Sequence, residues 1–218
     1  LNYYSVHPNF KWNGISLDRE KLLLAAHDLI KEGDDFERIT GEFLLEWFNK
    51  KSFITVKTSG STGIPKKINL KKQAMINSAL ATAEFFDLKV GNRVLNCLST
   101  NYIAGKMMLI RSMILGFEMD FVTPSSNPLK GNRHNYDFVA MVPMQVQNSI
   151  LELFKVKKLI IGGAKISETL RNQLLEVPTQ IYETYGMTET ITHIAVKRIG
   201  EKYFSVLPNV TIATDERG

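Results

Sequence analysis

The chain has little cysteine: one thiol, Cys97, in 218 residues. A lone thiol has no partner within the chain, which excludes a disulfide scaffold and fits a reducing compartment. Proline is also sparse, at seven residues, and no repeat or low-complexity stretch occurs. Collagen-like and proline-rich classes are therefore excluded. Long apolar runs are missing too. The best are residues 22–30 and 107–117, broken by His27 and Asp28 in the first and Arg111 in the second. Neither approaches the ~20 apolar residues of a membrane span. No charged stretch followed by an apolar one marks the N-terminus, so no export signal is expected. No block of one charge sign exists either. The 27 Lys+Arg against 22 Asp+Glu leave +5, and the basic residues fall in scattered pairs such as Lys50-Lys51, Lys66-Lys67 and Lys157-Lys158. A modest excess of this kind suits small anionic ligands such as nucleotides or coenzyme A. Without a basic arm or a recognition motif, nucleic acid is disfavoured as a partner.

What is present is an ordinary globular composition, 44% hydrophobic and 22% charged, in a length that makes one large domain or two small ones. Residues 1–17 read as irregular, with turn signals at His7-Pro8 and Asn13-Gly14. Asp18 caps a predicted helix to about residue 31, which Gly33-Asp34-Asp35 ends; a second is predicted over 41–49. From residue 53 strands and helices alternate. Strands are predicted over 53–58, 68–70, 93–98, 118–122, 138–142, 158–161 and 180–184. Helices are predicted over 71–86, 104–115, 143–154 (with Pro143 at its first position) and, behind a Ser167 cap, 167–175. Repeated strand–loop–helix units predict an α/β fold with largely parallel sheets flanked by helices. Short antiparallel strands follow near the C-terminus, at 194–197, 203–206 and 210–213. The chain stops at a turn composition with no returning strand, and the natural protein is expected to continue. The expected organisation is an abbreviated helical region (1–52), an α/β core (53–190) and the start of a β subdomain (191–218).

The most informative stretch is Thr58-Ser59-Gly60-Ser61-Thr62-Gly63-Ile64-Pro65-Lys66. Small hydroxyl residues and glycines follow a strand and end in a lysine. Glycines let the backbone approach a ligand closely, successive N–H groups form an anion-binding concavity, and Lys66 adds charge. This composition is that of a phosphate-binding loop, although no Walker A pattern is present. The alternative is a Ser/Gly surface turn with Lys66 as one more surface lysine.

That loop resembles the signature loop of the adenylate-forming acyl-CoA synthetase superfamily. Tyr185-Gly186-Met187-Thr188-Glu189 resembles its second signature, and Gly162-Gly163-Ala164 stands where the family has its adenine-side loop. The resemblance covers about residues 50–214. Within the superfamily, Val142-Pro143-Met144-Gln145-Val146-Gln147 is similar to a segment of o-succinylbenzoate–CoA ligases. Departures exist. Of a Leu-Pro-Leu-Phe-His-x-x-Gly motif only Leu98 and Gly105 match, and Tyr102 replaces the histidine. The region before the phosphate loop is shorter than the family's. A downstream Thr-Gly-Asp motif, hinge and C-terminal catalytic domain are not in the sequence.

The resemblance implies a cytoplasmic ligase using ATP, Mg²⁺ and coenzyme A. A carboxylate attacks the α-phosphate to give an acyl-adenylate, and the coenzyme A thiolate then displaces AMP. It implies that Thr58, Ser59, Gly60, Ser61, Thr62 and Gly63, with Lys66, hold the phosphates. Glu189 would ligate Mg²⁺ and Thr188 would hydrogen-bond the α-phosphate. Gly162, Gly163, Ala164, Thr184, Tyr185, Gly186 and Met187 would surround the nucleotide, with Tyr185 on the adenine. Tyr102 and Lys106 would contact the acid, Lys106 by pairing with a second carboxylate. The small-molecule acid is the expected partner; the sequence leaves monomer and homodimer both open. Each residue has a plainer alternative. Tyr185 can be a core aromatic, Glu189 a solvated carboxylate and Lys106 a lysine snorkelling from a helix start. His193 can line the acid pocket or simply pack. Cys97 reads as a buried thiol. The rival functions are another acyl-CoA ligase, a carrier-loading adenylation domain, and a nucleotide-binding module without turnover.

Overall fold

The computed structural model describes residues 2–57 and 66–213. The first secondary structure is a small hairpin, β1 (Lys11–Trp12) and β2 (Ile15–Ser16). Asn13 and Gly14 turn it with φ of 47° and 82°, the positive-φ pair that a tight type I′ hairpin requires. Helix α1 (Arg19–Glu32) follows, capped by Asp18, whose side chain accepts from Lys21 N–H. Helix α2 spans Asp35–Phe48, six residues earlier than the start expected at 41. Asp34 accepts from the N–H groups of Phe36 and Glu37 at 3.0 Å each, and Glu37 Oε2 accepts from Asp34 N–H at 3.0 Å. The acidic turn expected only to end α1 is thus also the capping box that starts α2.

Strands β3 (Phe53–Lys57) and β4 (Lys67–Lys71) pair with each other alone, as an antiparallel two-stranded sheet. The remaining strands are β5 (Arg93–Asn96), β6 (Glu118–Phe121), β7 (Tyr136–Met141), β8 (Val156–Ile161), β9 (Gln180–Gly186), β10 (His193–Arg198) and β11 (Ser205–Val206). With β1 and β2 they form a nine-stranded sheet in the order β11-β10-β9-β8-β7-β5-β6-β1-β2. Pairing is parallel from β9 through to β1 and antiparallel at both ends, where β10 and β11 flank β9 and β2 flanks β1. The N-terminal segment expected to be irregular therefore supplies sheet strands. The last strand expected, over 210–213, is not formed. Val210 N–H instead donates to Leu207 O at 3.2 Å, and Asn209 turns the chain with φ 62°.

The connecting helices are α3 (Lys72–Phe85), α4 (Ile103–Leu115), α5 (Pro143–Asn148) and α6 (Glu168–Leu175). Residues 150–155, expected to extend α5, form a 3₁₀ turn instead. Alternate residues of the central strands face opposite layers. Val94, Phe138, Ala140 and Ile160 join the core beneath α1 to α4. Leu95, Val139, Met141, Leu159 and Ile161 join the core on the α6 face. Both faces of the parallel sheet are covered, as such sheets require. Helix α4 is buried from Gly105 to Ile114, a helix wrapped on all sides. No helix among the described residues is long and apolar enough to cross a membrane.

Candidate active site

In parallel α/β sheets, ligands gather at the carboxyl ends of the strands. Two of the motifs singled out in the sequence lie there side by side. Gly162, Gly163 and Ala164 leave the end of β8, and Tyr185 and Gly186 form the end of β9; the two strands are parallel neighbours, with Ile161 paired to Glu183. Gly162 is required sterically. A Cβ there would stand 2.5 Å from Thr184 Oγ1, and that hydroxyl is held by donating to Ile161 O at 3.0 Å. Thr184 thus joins the two loops. Gly163 and Ala164 are exposed, as is the Tyr185 ring at 55%. Tyr185 is accordingly no core aromatic.

The segment after Tyr185 is a tight loop. Thr190 Oγ1 accepts from Met187 N–H at 2.9 Å and has two acceptors, Met187 O and Thr192 O, for its one proton. Thr188 O accepts from Ile191 N–H at 2.9 Å. Ile191 sits at φ 71°. For a β-branched residue that is strained backbone, of the kind that gathers at functional sites. Glu189 is exposed on this loop. Among the described residues no three His, Cys, Asp or Glu side chains converge as a metal cluster. A lone carboxylate fits Mg²⁺, which takes one or two protein carboxylates and fills its other positions with phosphate oxygens and water.

Thr190, Ile191 and His193 form one wall of a cavity of about 430 Å³; Ala74, Asn77 and Ser78 of α3 line another. His193 is 5% exposed. Its Nε2 lies 3.3 Å from Thr82 Oγ1 and its Nδ1 3.3 Å from Thr192 Oγ1. Thr82 spends its hydroxyl proton on Ser78 O, so Nε2–H is the donor in that pair. Burial, and then the charge of Arg111, hold His193 well below the usual imidazole range. It is neutral at pH 7. The packing alternative for His193 is met, and the residue also lines this cavity.

Arg111 is 1% exposed. Its Nη1 reaches Met108 Sδ, at 3.8 Å, while Nε and Nη2 have no hydrogen-bond partner among the described residues. Burial pushes its guanidinium down to about 9, still charged at neutral pH. In the sequence Arg111 is an interruption of an apolar run. That interruption was itself the signal, because a lone cation inside a wholly buried helix needs an anion.

Lys106 is the cation expected from the sequence to pair with a second carboxylate. It is 8% exposed, with Nζ 4.3 Å from the Phe43 ring centroid. Burial pushes it down to about 8 against the opposing pull of Glu46 and Glu42. Positions five apart on a helix lie about 140° round its axis, so Lys106 and Arg111 face different neighbours. Lys106 does not snorkel; it is packed on α2. Tyr102 is the exposed N-cap of α4. Neither Tyr102 nor Lys106 is among the residues lining the cavity with His193. Lys66 is exposed just before β4. Thr58, Ser59, Gly60, Ser61, Thr62 and Gly63 lie outside the described residues. Cys97 is fully buried, and burial pushes its thiol up to about 12.

Comparison with known proteins places the chain in a family and a fold. Residues 52–214, well over half of the chain, match the family model described as AMP-binding enzyme. The crystal structure of an acyl-CoA synthetase (AMP-forming)/AMP-acid ligase II-like protein from Dyadobacter fermentans superposes with a TM-score of 0.78. It is 36% identical, and the match covers 88% of this chain and 58% of that one. A 2-succinylbenzoate–CoA ligase of Staphylococcus aureus is 29% identical over 142 residues, 61% of this chain. The chain spans 28% of that relative's length. The o-succinylbenzoate coenzyme A synthetase of Bacillus subtilis, solved with ATP and magnesium, shares the fold at a TM-score of 0.61 and 23% identity. That match covers 67% of this chain and 32% of that one.

Proposed function

Because the chain belongs to the AMP-binding enzyme family, we propose that it binds ATP and a carboxylic acid for an ATP-dependent carboxylate–CoA ligase, with o-succinylbenzoate as the acid. Residues 162–164 and Tyr185 would flank the adenine. Thr188 would donate to the α-phosphate. Glu189 would hold Mg²⁺, which would neutralise phosphate charge. Lys66 and residues 58–63 would take the outer phosphates. This distribution answers the main electrostatic problem of the reaction, the approach of an anionic carboxylate to an anionic phosphate. Thiolysis by coenzyme A would follow.

The observation that favours an acid with a second carboxylate is the buried Arg111 guanidinium. Its Nε and Nη2 find no hydrogen-bond partner among the described residues, and its charge acts on His193 of the cavity wall, although Arg111 does not itself line the cavity. An acid with one carboxylate to activate and one to spare supplies the missing anion. Charge-assisted hydrogen bonds of this type are the strong ones. A mono-acid would leave Arg111 unpaired.

Calorimetric titration with a non-hydrolysable o-succinylbenzoyl-adenylate analogue, beside the benzoyl and acetyl analogues, tests the reading. The succinylbenzoyl analogue should bind ~10-fold or more tightly than the others, about 1.4 kcal/mol, and Arg111→Met should erase that preference. Equal binding of all three would remove the substrate while keeping adenylation. No binding of any, by a folded sample, would remove both.

A further inference from the structure

Tyr185 and Phe204 form an edge-to-face pair, with ring centroids 6.0 Å apart and planes at 62°. Tyr185 lies on β9, whereas Phe204 comes from the connection before β11. The β9–β10 register sets Tyr185 opposite Ala195 and Glu183 opposite Lys197. Two-residue alternation puts these four on one face of the sheet. On that face Lys197 Nζ stands 4.8 Å over the Phe204 ring and 3.2 Å from Glu183 Oε2. Arg171 of α6 holds the same carboxylate at 3.0 Å. Burial acts to raise the Glu183 carboxyl, but its bonds to Arg171 and Lys197 outweigh this and hold it below the usual carboxylate range. The carboxylate stays charged, Lys197 stays in place, and Phe204 rests under a fixed cation.

The strand order supplies the direction. β8 and β10 lie on opposite sides of β9. The 162–164 loop leaves β8, and Phe204 sits against Lys197 of β10. Tyr185 therefore has the glycine loop on one side and Phe204 on the other. Exposed at a strand end, the ring would otherwise be free to change rotamer.

We propose that Phe204 is a positioning residue of the nucleotide site. It braces the Tyr185 ring from the β10 side, so that the side facing residues 162–164 is held ready for a purine. The inference rests on the reading of Tyr185 as the adenine-contacting residue. Phe204 does not touch the base and acts through Tyr185 alone.

The test is calorimetric titration of the chain with AMP and, as a base-free probe, ribose 5-phosphate. Phe204→Leu should weaken AMP roughly three- to tenfold, the range expected for losing one aromatic pair, and Phe204→Tyr should restore it. Ribose 5-phosphate should bind the wild type and Phe204→Leu alike, which a general structural role would not give. Tyr185→Ala is the control for the site itself. If Tyr185→Ala weakens AMP and Phe204→Leu does not, the bracing role is overturned and the nucleotide reading stands. If neither weakens it, or the wild type does not bind AMP, the nucleotide reading falls and the inference with it. If Phe204→Leu weakens both probes equally, Phe204 is structural only and the inference is overturned. Should Phe204→Leu lose its cooperative melt, Phe204→Met is read the same way.

Discussion

Thr184 Oγ1 stands 2.5 Å from the point a Cβ on Gly162 would occupy. The contact ties the ends of β8 and β9 and fixes how closely the two candidate adenine-side segments approach. Because Thr184 is anchored to Ile161 O, it cannot simply swing aside. Gly162→Ala should destabilise the fold by about 1–3 kcal/mol, the usual penalty for overpacking. In a Thr184→Ala background the nearest remaining atom is that residue's Cβ, at 3.9 Å, and most of the penalty should disappear. Urea melts of the double-mutant cycle measure this coupling. Equal penalties in the two backgrounds would show that the contact is not what requires glycine.

Arg111 and Lys106 make opposite predictions from one helix. Removing a buried, unpartnered charge relieves a desolvation penalty, so Arg111→Met should raise stability by about 1–3 kcal/mol. The same substitution should weaken an acyl-adenylate analogue carrying a free carboxylate. Lys106→Met should leave that affinity where it was, since Nζ is packed on Phe43. Melts and titrations of the two variants, made side by side, decide it. Loss of affinity in Lys106→Met but not in Arg111→Met would return the second-carboxylate role to Lys106.

Much of this was legible in the sequence because the signals were local. The alternating units from residue 53 onward, the Ser167 cap and Pro143 at its helix start all depend on neighbours a few residues away. What was missed depended on long-range partners or on a signal with two readings. Asn13-Gly14 is a turn in any reading, but the strand before it pairs with β6 over a hundred residues on, a pairing that no local pattern records. Gly33-Asp34-Asp35 reads as a stop, yet Asp34 with Glu37 is equally a start. The site motifs on β8 and β9 were visible through their resemblance to a family's signature loops, not through a spacing that itself dictates chemistry. Arg111 stands out in the sequence as a cation within an apolar run, but its need for a partner comes from burial, which no local pattern records.

Cys97 gives a direct probe of the α/β core. It is fully buried, its thiol donates to Ala140 O at 3.5 Å, and burial holds it protonated. Only the thiolate reacts readily. A thiol reagent at pH 8 should therefore label the native chain only as fast as the core opens, and label the urea-unfolded chain at once. Stabilising variants such as Arg111→Met should slow native labelling in proportion. Rapid labelling of a fully folded sample would contradict the burial of Cys97, the residue that follows β5.

His193 sets the acid side of the stability profile. The folded ring is held well below its ordinary range by burial and by Arg111, with Thr82 and Thr192 as its hydrogen-bond partners. The unfolded ring titrates near 6.5. Above that pH both states are neutral at this position and the contribution is flat. Below it the unfolded chain takes up a proton that the folded chain refuses, so stability falls as pH falls. The limiting slope is about 1.4 kcal/mol per pH unit for one proton. The lowered carboxyls of Glu118 and Glu183 act further down, because each is held below the usual carboxylate range. Between pH 7 and 5 the histidine therefore dominates. His193→Gln keeps a donor and an acceptor in the site but cannot charge. It should flatten the decline over that interval while costing about 1–2 kcal/mol at pH 7.5 for the altered packing. Urea-derived stabilities of both proteins at half-unit steps from pH 5 to 8 provide the comparison. Parallel curves would mean that His193 takes up its proton in the folded state, and that the guanidinium beside it is already neutralised by another group.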